Sequence, residues 1–117
     1  MQYTIEHENP DISITIKVVD EIKFNAAMEE FNKFWCDAQY RADYLNGHVL
    51  AGLKMFAAEC MQQIAFNNFK DEAWLKDQFD WNKNNKGIEG YSRFEDAGLE
   101  VTNINSWFID IDDLEIV

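Results

Sequence analysis

The chain is short of positive charge, histidine, cysteine and proline, and each shortage closes off a class of function. Ten Lys and Arg face 22 Asp and Glu over 117 residues, a formal net charge of −12. Nucleic acid and anionic membranes are bound through Lys/Arg surfaces, so neither is expected as a direct partner. The two histidines, His7 and His48, lie in no His-Glu-x-x-His pattern, and Gly-x-Ser-x-Gly is absent. His48 opens a helix and reads as a terminus residue rather than a general base. Gly87 and Gly90 lack the Lys-Ser/Thr that would make a phosphate loop. Cys36 and Cys60 fall within apolar helical patterns without zinc spacing, and are expected to be buried, reduced thiols of a cytoplasmic protein. The first residues lack the basic and apolar regions of a secretory leader, and no apolar run reaches membrane-span length. No catalytic residue, metal or cofactor is therefore expected, and an enzyme is not the expectation.

One Pro and five Gly exclude collagen-like and low-complexity character, and 47% hydrophobic with 15% aromatic residues excludes a disordered acidic tail. The length fits a single domain over residues 1–117. Tyr3, Ile5 and His7 alternate with polar residues, and after a turn at Asn9-Pro10-Asp11 so do Ile12, Ile14, Ile16 and Val18. That period predicts a hairpin of strands over 3–8 and 11–19. Asn25 is the expected N-cap for a helix running to about Tyr44 or Leu45. Its apolar stripe is Met28, Phe31, Trp35 and Ala38, widened by Phe34. Asn46-Gly47 ends it. A second long helix begins near His48, its broad apolar face running from Val49 and Leu53 through Phe56 and Cys60 to Ile64, extended by Phe66. Asp71 caps a short third helix, and residues 82–87 read as a loop. Strands are predicted over 99–102 and 107–112, with a bulge or turn at Asp112-Asp113. The order ββααα-ββ gives an α+β fold: an antiparallel sheet of two terminal hairpins, covered on one face by two long helices and a short third.

The charge is uneven. Residues 1–46 hold nine acids against four bases, residues 47–86 five of each, and residues 87–117 eight acids against Arg93 alone. In the expected fold the acid therefore concentrates on the exposed sheet face and its loops. Asp110 and Asp112 share one side of the last predicted strand, followed by Asp113 and Glu115. This run lacks the Gly and the length of a calcium loop and reads as a solvated acidic edge that discourages sheet aggregation. Trp81, Tyr91 and Phe94 flank loops and are expected at the surface, suited to protein contact. The candidate partner-binding residues are thus Asp110, Asp112, Asp113, Glu115, Glu95, Asp96 and Tyr91.

Several segments carry a family likeness. They are Phe34-Trp35, Asn46-Gly47-His48-Val49-Leu50, Leu53-Lys54-Met55-Phe56-Ala57-Ala58, and Glu89-Gly90-Tyr91 ahead of Asp96-Ala97-Gly98-Leu99-Glu100-Val101. Together they resemble the family known as domain of unknown function 2528, over most of residues 11–112. The chain departs from that pattern at His48, where the family has an acidic cap, and at Tyr91-Ser92, where it has Trp-Pro. The resemblance implies a small protein of phage, prophage or bacterial origin and carries over no site residues. Charge and context together lead to the expectation of a protein-interaction protein, similar in a general way to anti-CRISPR inhibitors. Its expected partner is a basic, nucleic-acid-binding host protein. The alternative is a homodimer, structural or regulatory, seeded by the Ile12-Ile14-Ile16-Val18 strand.

Overall fold

The computed structural model describes residues 1–9, 11–68, 71–105 and 111–117. The alternation near the start forms β1 (Gln2–Glu6) and β2 (Ser13–Val18), antiparallel with Tyr3 opposite Ile16 and Ile5 opposite Ile14. Ile14 and Ile16 are fully buried, and the Tyr3 ring stacks on Phe24 with centroids 5.8 Å apart. β3 (Leu99–Ile104) pairs with the other side of β2, so the sheet order is β1-β2-β3. A bulge where Thr15 and Ile16 face Asn103 and Val101 leaves Thr102 without an opposite residue. The skipped residue resets the parity, so Leu99, Val101 and Ile104 all face the core.

Three expectations about the sheet change. The strand expected to seed a homodimer is the central strand, hydrogen-bonded on both sides and without a free edge. The strand expected over 107–112 lies mostly outside the described residues, and Ile111 and Asp112 fall in a 3-10 turn, Ile111–Asp113. The outward-facing strand residues are not an acid field. Gln2, Thr4, Glu6, Lys17, Glu100 and Thr102 are exposed, with Lys17 opposite both Gln2 and Glu100.

The helical layer is α1 (Glu21–Phe34), α2 (Ala38–Tyr44), α3 (His48–Asn67) and α4 (Glu72–Gln78). α1 starts earlier than Asn25: Asp20 is the N-cap, and its Oδ1 accepts from the Lys23 N–H at 3.1 Å. The single helix expected to reach Leu45 is two. Trp35 is extended and Asp37 is left-handed, φ 67°, a conformation Asp tolerates better than most residues. Asn46 (φ 65°) and Gly47 (φ 116°) turn the chain between α2 and α3, as the dipeptide predicts. Asp71 caps α4, accepting from the Trp74 N–H at 2.8 Å.

α3 is the central helix of this layer and packs closely against α1. At Gly52 a β-carbon would lie 1.8 Å from the Met28 carbonyl oxygen. No other residue type fits there without moving α1. Behind this contact Phe31, Phe56, Phe79, Tyr91 and Phe94 form an aromatic cluster, Phe56 lying 5.2–6.1 Å from the other four by ring centroid. Phe66, expected to extend the buried face of α3, is exposed instead.

Candidate partner-binding surface

The structure separates the residues assigned to the acidic edge. Asp110 and the Asp113 side chain lie outside the described residues. Asp112 and Glu115 are exposed on the C-terminal segment. Glu95 and Asp96 are exposed too, but already engaged. Glu95 bridges Lys76 at 2.8 Å and Arg93 at 3.2 Å, and Arg93 donates to both carboxylate oxygens of Asp96. The bond from Arg93 holds the Asp96 carboxyl below its usual range, and the bond to Glu95 pushes the Lys76 ammonium up. Tyr91 is not at the surface. Only 8% of it is exposed, its ring packs against Phe31 and Phe79, and its hydroxyl donates to the Met55 carbonyl at 3.3 Å. Burial, with the Glu59 charge nearby, pushes its phenol up to about 12. Phe94, expected exposed, is likewise buried.

A polar network missed in the sequence sits where α1, α2 and α3 meet. The Asn32 side chain is fully buried. Its Oδ1 accepts from Arg41 Nε at 2.7 Å, and its Nδ2 donates to the Ala38 carbonyl at 3.1 Å and to His48 Nδ1 at 2.8 Å. Arg41 has only donors and a carbonyl only accepts, so the amide has one orientation. His48 Nδ1 is therefore an acceptor, and the ring proton sits on Nε2. The Arg41 guanidinium also takes the carbonyls of Asn32 and Trp35, left without partners where α1 ends, and that of Cys36 just beyond. This is why the helix stops at Phe34. One signal for it was present: Asn32 stands four residues after Met28, a polar residue in the apolar stripe.

Because α1 ends there, Phe34 and Trp35 leave the core they were expected to join, and Cys36 is exposed while Cys60 stays buried; both thiols are free. Phe34 and Trp35 pack edge to face, 4.9 Å between centroids, and stand 52% and 38% exposed. Gly90 (φ 91°) lies against both rings. One residue on, the Tyr91 carbonyl accepts the Trp81 indole N–H at 2.7 Å, and Trp81, 52% exposed, rests on Gly87 (φ 101°). A β-carbon at Gly87 would come within 2.4 Å of the Trp81 ring, and one at Gly90 within 2.9 Å of Phe34 and Trp35. The Trp35 side chain also lies near the Tyr91 hydroxyl and eases its ionisation slightly against the effect of burial. Segment 87–91 is thus the seat of three exposed rings.

A separate cleft of about 440 Å³ lies between the start of α1, α4 and β3. Phe94, Leu99 and Val101 line it with Lys23, Lys76 and Glu100 at its charged positions. Among the described residues no three His, Cys, Asp or Glu side chains converge to hold a metal ion, and no helix is long and apolar enough to cross a membrane.

The fold and this surface define a small α+β protein: helices on an antiparallel sheet, with three exposed rings seated against segment 87–91. The chain belongs to the family of proteins of unknown function DUF2528, whose model matches residues 13–116. No curated protein and no solved structure matches it.

Proposed function

We propose that this is a non-enzymatic, acidic protein-interaction protein acting inside the cell, of phage or prophage type, that docks onto a basic surface of a host protein. A nucleic-acid-binding defence complex is the kind of partner it fits, its carboxylates standing where phosphates would. The observation that supports this reading is how the cations are used. Lys33 pairs with Glu29, Lys76 with Glu95, Lys83 with Asp77, and Arg93 with Glu95 and Asp96. Arg41 is turned inward onto main-chain carbonyls, and Lys86 donates to Gln78. Among the lysine and arginine side chains of the described residues, only those of Lys17, Lys23 and Lys54 remain without a hydrogen bond or ion pair. The carboxylates left over are many, and they project a negative field that steers a cationic partner.

The experiment is capture from a bacterial lysate at 50 and 500 mM salt, beside a variant with Glu8, Asp11, Glu21, Glu30, Glu72 and Glu89 changed to the corresponding amides. The expected result is a set of basic proteins held at low salt, released at high salt and lost with the variant. Proteins of average charge, retained at high salt by both forms, would overturn the reading.

A further inference from the structure

We infer that the ring surface formed by Phe34, Trp35 and Trp81 is the anchor of that docking, and that it takes arginine side chains. The inference rests on the acidic-docking reading above and adds its site and chemistry. Two left-handed glycines, Gly87 and Gly90, clear the space under these rings; the indole N–H bond to the Tyr91 carbonyl holds Trp81, and the edge-to-face contact holds Phe34 and Trp35 against each other. Glycine at such positions lowers stability through the unfolded chain. Here it serves rings that remain one-third to one-half exposed, so it gives the core little in return. Rigid aromatic faces at a surface bind with little further loss of conformational freedom.

The charges around the rings select the occupant. Glu30 lies one turn before Phe34, Asp37 two residues after Trp35, and Glu89 beside Gly90. None of the three carboxylates accepts a hydrogen bond or forms an ion pair, and the Asp37 side chain makes no cap bond. The neighbouring cations are engaged: Lys33 by Glu29, Lys83 by Asp77, Lys86 by Gln78, and Arg41 by carbonyls. Partly exposed rings with unengaged carboxylates on neighbouring residues suit a guanidinium, which stacks on indole and is more weakly hydrated than an ammonium.

The test titrates the full-length protein at 50 mM salt with nona-arginine and with nona-lysine, followed by calorimetry and by the indole N–H signals in NMR. The inference expects nona-arginine to bind more tightly than nona-lysine and to shift the Trp35 and Trp81 signals but not that of Trp74. Trp81→Ala, with its fold checked by circular dichroism, should weaken nona-arginine about two- to five-fold and narrow its lead over nona-lysine. If both peptides bind equally and the Trp35 and Trp81 signals stay in place, the anchor is wrong while charge-driven docking stands. If neither peptide binds at 50 mM salt, the docking reading itself fails, and the anchor with it. The NMR readout uses the native protein, so the outcome does not depend on the variant folding.

Discussion

Replacing Gly52 by Ala sets two effects of opposite sign against each other. In a helix interior Ala is favoured over Gly by about 1 kcal/mol. On propensity alone Gly52→Ala, in the middle of α3, would stabilise. The structure predicts the reverse, because the new methyl would lie 1.8 Å from the Met28 carbonyl oxygen and 2.6 Å from its carbon. Both are main-chain atoms of α1 and cannot rotate away. Reaching an ordinary contact of about 3.4 Å requires the helices to part by roughly 1.5 Å, and a gap of that size forfeits half or more of the dispersion across their seam. Overpacking of this kind costs about 3 kcal/mol, leaving a net loss of about 2 kcal/mol after the propensity gain. For a domain of this size that is a fall in Tm of about 8 °C. Thermal melts followed by circular dichroism give the answer. Ala65→Gly, on the exposed side of α3, calibrates propensity and should cost about 1 kcal/mol. A Gly52→Ala protein as stable as the parent or more so would refute the close approach of α1 and α3.

Other substitutions probe the core and the network. Phe56→Ala removes the ring that touches Phe31, Phe79, Tyr91 and Phe94 and should cost about 3–5 kcal/mol in denaturant unfolding; a change within error would mean that the helix face is misassigned. Asn32→Leu leaves Arg41 Nε, the Ala38 carbonyl and His48 Nδ1 without their shared partner and should cost about 2–4 kcal/mol. A neutral outcome would mean that the amide is not the hub. Tyr91 makes stability depend on alkaline pH. Its phenol is raised to about 12, so the neutral form is favoured in the fold. The stabilisation is complete below the unfolded value near 10 and is lost as pH rises through 12, by roughly 3 kcal/mol in all. Denaturant melts of the parent and Tyr91→Phe between pH 8 and 11.5 should diverge above pH 10, and parallel curves would sink the assignment.

The parts of this fold that were legible in the sequence are those whose cause is local. β1 and β2 follow from alternation, the start of α3 from Asn46-Gly47, and the start of α4 from Asp71. The break after Phe34 was not legible, because its cause is Arg41 reaching back to carbonyls six and nine residues earlier. Without that contact the stripe from Met28 to Ala38 reads as one helix, and Phe34 and Trp35 read as core. Tyr91 escaped for a related reason. It sits in an irregular segment with no period to mark its burial, and only the fold brings Phe31, Phe56 and Phe79 around it. Trp81, by contrast, was expected at the surface and is there. The excess of acid was plain from composition. Which carboxylates are already engaged, as Glu95 and Asp96 are by Lys76 and Arg93, depends on tertiary neighbours that no spacing reveals.

The pairing of β2 with β3 has a consequence for the order of folding. α1, α2 and α3 follow one another directly, so their contacts close short loops and can form early. The sheet cannot. Ile14 pairs with Ile104 and Val18 with Leu99, partners more than eighty residues apart along the chain. Such non-local pairing is slow, because the closure entropy must be met before any ladder bond forms. On a ribosome the β1–β2 hairpin and the helices emerge well before Leu99, and until then one side of β2 presents unpaired N–H and C=O groups beside Ile14 and Ile16. The nascent chain therefore carries an open edge on β2 that pairing with β3 later closes, and this interval of synthesis is when that apolar strand is most exposed to aggregation and most in need of a chaperone.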